Sequence, residues 1–327
     1  MDKVYFVLSV DTEEEWDWTG PFPEKTISVD NVQFVPEFHR RMDVLGVKPS
    51  YFLDYAVLEQ SRSRDTLGTL LEDFPGVECG AHLHPWVTPP VIPVDSEADS
   101  HIVNLPIDVV AEQLHNLTGA ITELTRCAPT AFRSGRWGIN DAILAELINS
   151  GYQVDSSVYP YYQNDWFSCV ENSSEPFQSR PANVDRSIIE LPVTAGFNRK
   201  AFAAANRLHQ RLEQAPWSKF HSVGILWALG LLRKLYLSPE LASSRDMRRL
   251  CAQALANKYP VIHMYLHSSS LLPGSTEYVQ TEQDKARLYR RIEDVVGYLR
   301  QHREVEVLGI TEAALRLKAE GKVAPHG

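Results

Sequence analysis

Hydrophobic positions fall into two regimes along this chain: short, nearly continuous apolar runs, and longer stretches with an apolar position every three or four residues. The first run, residues 4–10 (VYFVLSV), is mostly β-branched and aromatic, the pattern of a strand buried on both faces. Runs at 48–53, 77–83, 128–134, 152–154, 187–193, 261–266 and 305–308 predict further strands. Helical periodicity predicts helices at 32–45, 55–71, 106–124, 140–149, 198–212, 223–237, 282–300 and 311–317. Asn140 is placed to cap its helix and Gly151 to close it. Ser238-Pro239-Glu240 reads as the cap of another helix that runs to about Asn257. A loop around Gly20-Pro21-Phe22-Pro23 follows the first strand.

Strands that alternate with helices imply βα units and a mostly parallel sheet. No repeat and no linker divides the chain, so the pattern predicts one α/β domain over 1–327 with two insertions. One is lid-like, at 87–105, where Pro89, Pro90 and Pro93 stand among apolar residues and 95–100 would form a mobile tip; the other is helical, at about 198–257. Polar residues gather where strands end: Asp11 and Glu13, His82 and His84, Arg133, Asp155 and His267. An open sheet would scatter those ends along an edge, whereas a (β/α) barrel converges them on one mouth. A distorted barrel is therefore expected.

Composition changes this picture mainly by exclusion. At 327 residues, 44% apolar and 23% charged, the chain is ordinary for a globular protein. A net charge of −10 argues against nucleic acid, which needs a Lys/Arg surplus. Cys79, Cys127, Cys169 and Cys251 are scattered without CxxC spacing and read as small buried residues in a reducing compartment. The amino-terminal residues show neither a basic region nor an apolar core of a signal peptide, so the expectation is a cytoplasmic protein. The stretch 223–237 (VGILWALGLLRKLYL) is too short to span a membrane and carries Arg233 and Lys234. It can be read as an interfacial helix in contact with a membrane surface, but a core helix is the expected outcome.

Candidate chemistry centres on Glu78-Cys-Gly-Ala-His82-Leu-His84-Pro-Trp86. Strand side chains alternate, so His82 and His84 project to one side, where two imidazoles can grip one metal ion. Asp11 and Glu13 share a strand face by the same period. An isolated pair of this kind is more often solvated or hydrogen-bonded. The run Glu13-Glu14-Glu15 is likewise more often a solvated acidic face, and only Glu13 is nominated from it. What shifts the balance is company in a fixed order: Phe132-Arg133-Ser-Gly-Arg136-Trp137-Gly138, then Tyr152-Gln-Val-Asp155-Ser-Ser157, then Leu266-His267-Ser268.

Taken in sequence, these motifs resemble those of the polysaccharide deacetylase family, whose NodB-type domain (carbohydrate esterase family 4) is a distorted (β/α) barrel. Ser9-Val-Asp11-Thr-Glu13 stands where the family has Thr-Phe-Asp-Asp, and Gly80-Ala-His82-Leu-His84-Pro85 where it has its histidine motif. The wording from His267 to Gly274 is similar to deacetylase-like proteins associated with bacterial envelope polysaccharide genes. The resemblance implies hydrolysis of an N-acetyl (or O-acetyl) group on a sugar with a divalent metal, zinc before others. It implies Glu13, His82 and His84 as metal ligands, Asp11 as general base, Arg133 as the group that orients it, and His267 as the acid for the leaving amine. Trp86, Arg136, Trp137 and Asp155 would face the substrate. A free, nucleotide-linked or lipid-linked amino sugar fits a cytoplasmic setting better than a secreted polymer.

The chain departs from the family pattern in places. Thr12 replaces the usual metal-binding Asp, the histidines are two residues apart rather than four, and Arg136 is an additional arginine in a lengthened third motif. Glu13, longer than Asp and on the face of Asp11, can supply the missing oxygen. Two other readings stay open: a barrel that binds carbohydrate without catalysis, and a small-molecule amide hydrolase such as a deformylase or a cyclic-imide or ureide hydrolase.

Overall fold

The structure, a computed structural model, describes residues 3–16, 22, 27–182 and 184–325. The expected loop at Gly20-Pro21-Phe22-Pro23 lies outside them except for Phe22. Strands among these residues are, in chain order, β1 (Lys3–Thr12), β2 (Pro49–Leu53), β3 (Cys79–Leu83), β4 (Ala131–Ser134), β5 (Val154–Asp155) and β6 (Phe177–Ser179). They continue with β7 (Ile188–Glu190), β8 (Ala195–Phe197), β9 (Lys234–Tyr236), β10 (Val261–His267) and β11 (Glu304–Val307). The helices are α1 (Val35–Val44), α2 (Tyr55–Glu59), α3 (Ser61–Asp73), α4 (Ile107–Thr125) and α5 (Asp141–Asn149). After them come α6 (Phe202–Glu213), α7 (Ser222–Ala228), α8 (Ser244–Ala256), α9 (Glu282–His302) and α10 (Ile310–Ala319).

β1 is buried at every residue after Lys3, as its unbroken apolar run requires, because helices cover its outer face while facing strands and α10 fill the inner one. The sheet runs β10-β1-β2-β3-β4-β5-β7, all parallel, with β6 antiparallel on the far edge and β11 against the first half of β1. This is the curled, mostly parallel sheet expected of a distorted barrel. Among the described residues it is not closed by strand pairing. The gap between β7 and β10 is filled by the antiparallel hairpin β8–β9. Thr194 N–H donates to His263 O, Leu237 N–H to Thr194 O, and Tyr265 N–H to Leu237 O, which ties the hairpin to β10.

Asn140 caps α5 through a bond from Ile143 N–H, and Gly151 takes the left-handed conformation (φ 92°) that ends it. The four cysteines are free thiols. No helix among the described residues is long and apolar enough to cross a membrane.

Three helical expectations are corrected. The helix expected over 55–71 is two, because Gln60 is extended between α2 and α3. The core helix expected over 223–237 is neither one helix nor core. α7 ends at Ala228 and contributes no buried residue, and the chain then turns at Gly230 (φ 66°) into β9. From Lys234 to Leu237 burial alternates, with Leu235 and Leu237 inside, so period-two packing overrides the helical pattern there. Ser238-Pro239-Glu240 is a turn rather than a cap; α8 begins at Ser244, where the Ser243 hydroxyl accepts from Asp246 N–H.

Candidate active site

The carboxyl-terminal ends of β1, β3, β4 and β10 meet, and each brings a functional side chain. In register, Asp11 on β1 stands opposite His267 on β10, and His82 on β3 opposite Arg133 on β4. Arg133 is fully buried. One nitrogen donates to Asp11 Oδ1 at 2.5 Å, and the other two donate to the carbonyl and hydroxyl of Ser156 at 3.1 and 3.0 Å. Its guanidinium lies 4.4 Å from the Phe52 ring centre and 5.1 Å from that of Trp137. A cation in this position has lost its water, and Asp11 is the carboxylate that balances it.

Beyond β1 the chain leaves the strand, and Glu13 and Glu14 both turn inward. Glu13 Oε2 lies 3.2 Å from His82 Nε2 and 3.5 Å from His84 Nε2. Ligands held about 2.0–2.2 Å from one tetrahedral ion stand roughly 3.3–3.6 Å apart, so these separations suit a shared cation. The electrostatics agree. Burial and then the neighbouring carboxylates Glu14, Asp11 and Asp54 push Glu13 well above the usual carboxylate range, a strain that a cation would relieve. Burial keeps both imidazoles neutral, His84 at about 4 and His82 well below its usual value, which is the form that ligates. His82 Nδ1 is buried without a hydrogen-bond partner among the described residues.

His84 is held from behind. Its Nδ1 lies 3.1 Å from Glu14 Oε2, while Trp86 stacks on the imidazole at 4.2 Å and donates its indole N–H to Glu14 Oε1 at 2.5 Å. A carboxylate that holds the Nδ1 proton leaves the Nε2 lone pair for a cation beside Glu13, 3.5 Å away; the Gly135 carbonyl also lies 3.2 Å from Nε2. Asp54 completes this layer by accepting from the backbone N–H of Glu14 and capping α2. Glu14, Asp54 and His84 also lie within range of one ion, but their hydrogen bonds already account for the arrangement. The reading of Glu13-Glu14-Glu15 as a solvated run is corrected here. Glu14 is wholly buried, and Glu15 accepts from Ser28 and Asn31.

Across the cleft, His267 Nδ1 lies 2.9 Å from Glu240 Oε2 and its Nε2 lies 3.8 Å from Asp11 Oδ2. Glu240 also accepts from His267 N–H and from the Ser270 hydroxyl. Burial pulls the imidazole down, but Glu240 and then Asp11 outweigh it and leave His267 above its ordinary value. Sequence reasoning missed Glu240 by treating it as a helix residue, and its spacing from His267 carries no local signal.

No family model matches the sequence, and no curated protein does either. Solved structures do match. One described as a polysaccharide deacetylase from Mycobacterium smegmatis aligns over 99% of this chain and 93% of its own, with a TM-score of 0.59 and 16% identity. Another so described, from Pseudomonas aeruginosa PAO1, covers 97% and 91% with a TM-score of 0.53 and 12% identity. The fold is that of the polysaccharide deacetylases. PuuE allantoinase is also similar, covering 97% and 90% with a TM-score of 0.53 and 13% identity.

In this deacetylase fold the cleft holds about 230 Å³. Glu13, His84, Glu240 and His267 line its polar side, and Trp16, Trp137, Tyr159, Tyr265 and Tyr278 its apolar side. Trp137 holds a left-handed backbone (φ 57°), strained for a side chain of this size, and stacks on Tyr159 at 4.4 Å. Arg136 reaches the cleft and pairs with Glu97 at 2.9 Å, which joins the 87–105 segment to the rim. Gln113 on α4 fastens that segment with one amide nitrogen near the carbonyls of Pro85, Thr88 and Pro90.

Two residues expected to face substrate do not. Trp86 is buried and stacks on His84. Asp155 is wholly buried, accepts from the Ser157 hydroxyl at 2.5 Å, and is paired with Glu190. Burial pushes both carboxyls of this pair up, and the Asp155 carboxylate adds to the rise of Glu190.

Proposed function

We propose that this protein is a metal-dependent hydrolase that removes an acyl group, acetyl first among candidates, from an N-acylated amino sugar. One observation carries the reading: Glu13, His84 and the His267–Glu240 pair line one aromatic-walled cleft, with His82 and the buried Asp11–Arg133 pair joined to them from behind. Glu13, His82 and His84 would hold a divalent cation, zinc before others for two imidazoles and one carboxylate; when bound it polarises an acyl oxygen and acidifies water.

The remaining work falls to side chains. Arg133 fixes Asp11 through Oδ1 and leaves Oδ2 to accept the proton of the attacking water. Glu240 holds the Nδ1 proton of His267, so Nε2–H can protonate the departing amine. With 3.8 Å between Asp11 Oδ2 and His267 Nε2, the proton gained by the base can return to the acid after turnover. Trp137, Tyr159 and Tyr265 offer apolar faces to a sugar ring.

The substrate proposed is a free, nucleotide-linked or lipid-linked amino sugar that serves as a precursor of an envelope polysaccharide. A second reading, hydrolysis of a small ureide or cyclic imide, is favoured by one feature. The cleft, at about 230 Å³, is below the ~300–1,000 Å³ usual for ligand pockets. Acetate release from a panel of N-acetylated amino sugars, beside ring opening of allantoin-like ureides, tests both with metal content measured in parallel. Acetate release lost about 10²–10⁴-fold in Asp11→Asn, with metal retained, is the expected result. Ureide turnover alone would install the second reading. Sugar binding without turnover of any amide would leave a non-catalytic carbohydrate-binding barrel.

A further inference from the structure

We propose that the excursion between β8 and β9 is a docking surface for a membrane rich in anionic phospholipid. The short 3-10 turn Trp217–Phe220 and α7 together bury none of their residues. Instead they expose large apolar side chains side by side along the chain. Trp217 is 54% exposed, Phe220 66%, Ile225 53% and Trp227 41%, followed by Leu229 at 65%. Such residues scattered singly need no explanation, but five within one short excursion form a patch that needs a partner.

Charge says which partner. The excursion, residues 198–233, carries six Lys or Arg and one acid, Glu213, whereas the rest of the chain carries 26 basic against 41 acidic residues. Glu213 contacts His209, and Arg233 pairs with Asp246, which leaves Arg199, Lys200, Arg207, Arg211 and Lys219 as the basic residues the excursion offers a partner. Arg207, Arg211 and Lys219 are exposed around the apolar residues. Tryptophan and phenylalanine beside a basic rim suit the boundary between headgroups and acyl chains. An anionic lipid surface attracts this excursion and repels the acidic remainder, which would fix the orientation of the molecule. A second copy fits less well, because a two-fold contact would set the same basic residues against one another.

The excursion leads through β9 directly to Glu240 and Leu241, both of which line the cleft. Docking would thus hold the chain entering the catalytic rim. The proposal does not depend on the hydrolase reading, since the test reads binding and not turnover.

The test is co-sedimentation of the whole protein with vesicles of phosphatidylcholine alone or mixed with phosphatidylglycerol, at low and high salt. Binding to the mixed vesicles only, weakened by salt, is the expected result. Arg211→Glu with Lys219→Glu should lower partitioning by on the order of tenfold or more. Trp217→Ser with Phe220→Ser should also release the protein. Unchanged circular dichroism would show that these surface variants fold. Equal partitioning to both vesicle types, or none, would overturn the proposal. So would lipid-free self-association in the ultracentrifuge that Trp217→Ser with Phe220→Ser abolishes, which would assign the patch to a second copy.

Discussion

Glu14 never reaches the cleft, yet it sets what His84 can do there, because its carboxylate faces Nδ1 and leaves Nε2 to face Glu13. Glu14→Gln keeps the size of the side chain but weakens that hold. Metal affinity, read by competition with a chelating dye, should fall about 10–100-fold. His267 offers a second test. Its raised pKa keeps the imidazole protonated above its usual range, and a general acid stops working as pH rises through its own pKa. Glu240→Gln removes the main charge that raises it, so the alkaline limb of the kcat–pH profile should move to lower pH. An unmoved limb would take His267 out of the acid role. At this scale the sequence was legible where strand alternation governs, at His82 and His84, and opaque where it does not. Glu13 and Glu14 lie past the end of β1, so the period of two no longer sorts inside from outside. Trp86 was visible as an aromatic beside a histidine, but its partner was Glu14 and not a sugar.

Among the elements, the turn after β4 is the most exacting. Gly135 N–H donates to Leu83 O, and a Cβ at Gly135 would land inside the His84 imidazole. Gly135→Ala should therefore displace His84 and lose bound metal, while the circular dichroism spectrum stays close to native. Full metal content in that variant would mean that the turn gives way instead. The segment 87–105 is expected to resist limited proteolysis except near its tip. Gln113 and Asn116 tie its prolines to α4, while Asp95, Ser96 and Glu97 are exposed. Early cleavage throughout the segment would mean those ties do not hold it. Most strands and helices were legible because their apolar periods are long and clean. The stretch 223–237 was not, since its leucines and tryptophan fit a core helix as well as a surface patch. Periodicity reports an apolar face but not whether anything covers it.

At the scale of the whole molecule, the barrel could be inferred from where the polar residues fall, although identity to solved relatives of the fold is only 12–16%. What the pattern could not show is how the ring is closed, because the hairpin strands β8 and β9 are three residues each and carry little signal. The pairing of β1 with β10 carries a consequence for birth rather than function. Tyr5 to Asp11 lie in register with Val261 to His267, so the first strand made waits for one of the last. Synthesis at about 5–20 residues per second leaves that edge uncovered for roughly 10–50 s. The waiting strand is VYFVLSV, apolar and without charge, the kind of segment that pairs with its like when left bare. Nascent chains stalled before residue 261 should accordingly aggregate or bind a chaperone, and release of the next stretch should end it. Asp11 and His267 face each other only once that pairing is made, so the ribosome delivers the proposed acid–base pair and a protected edge in the same event.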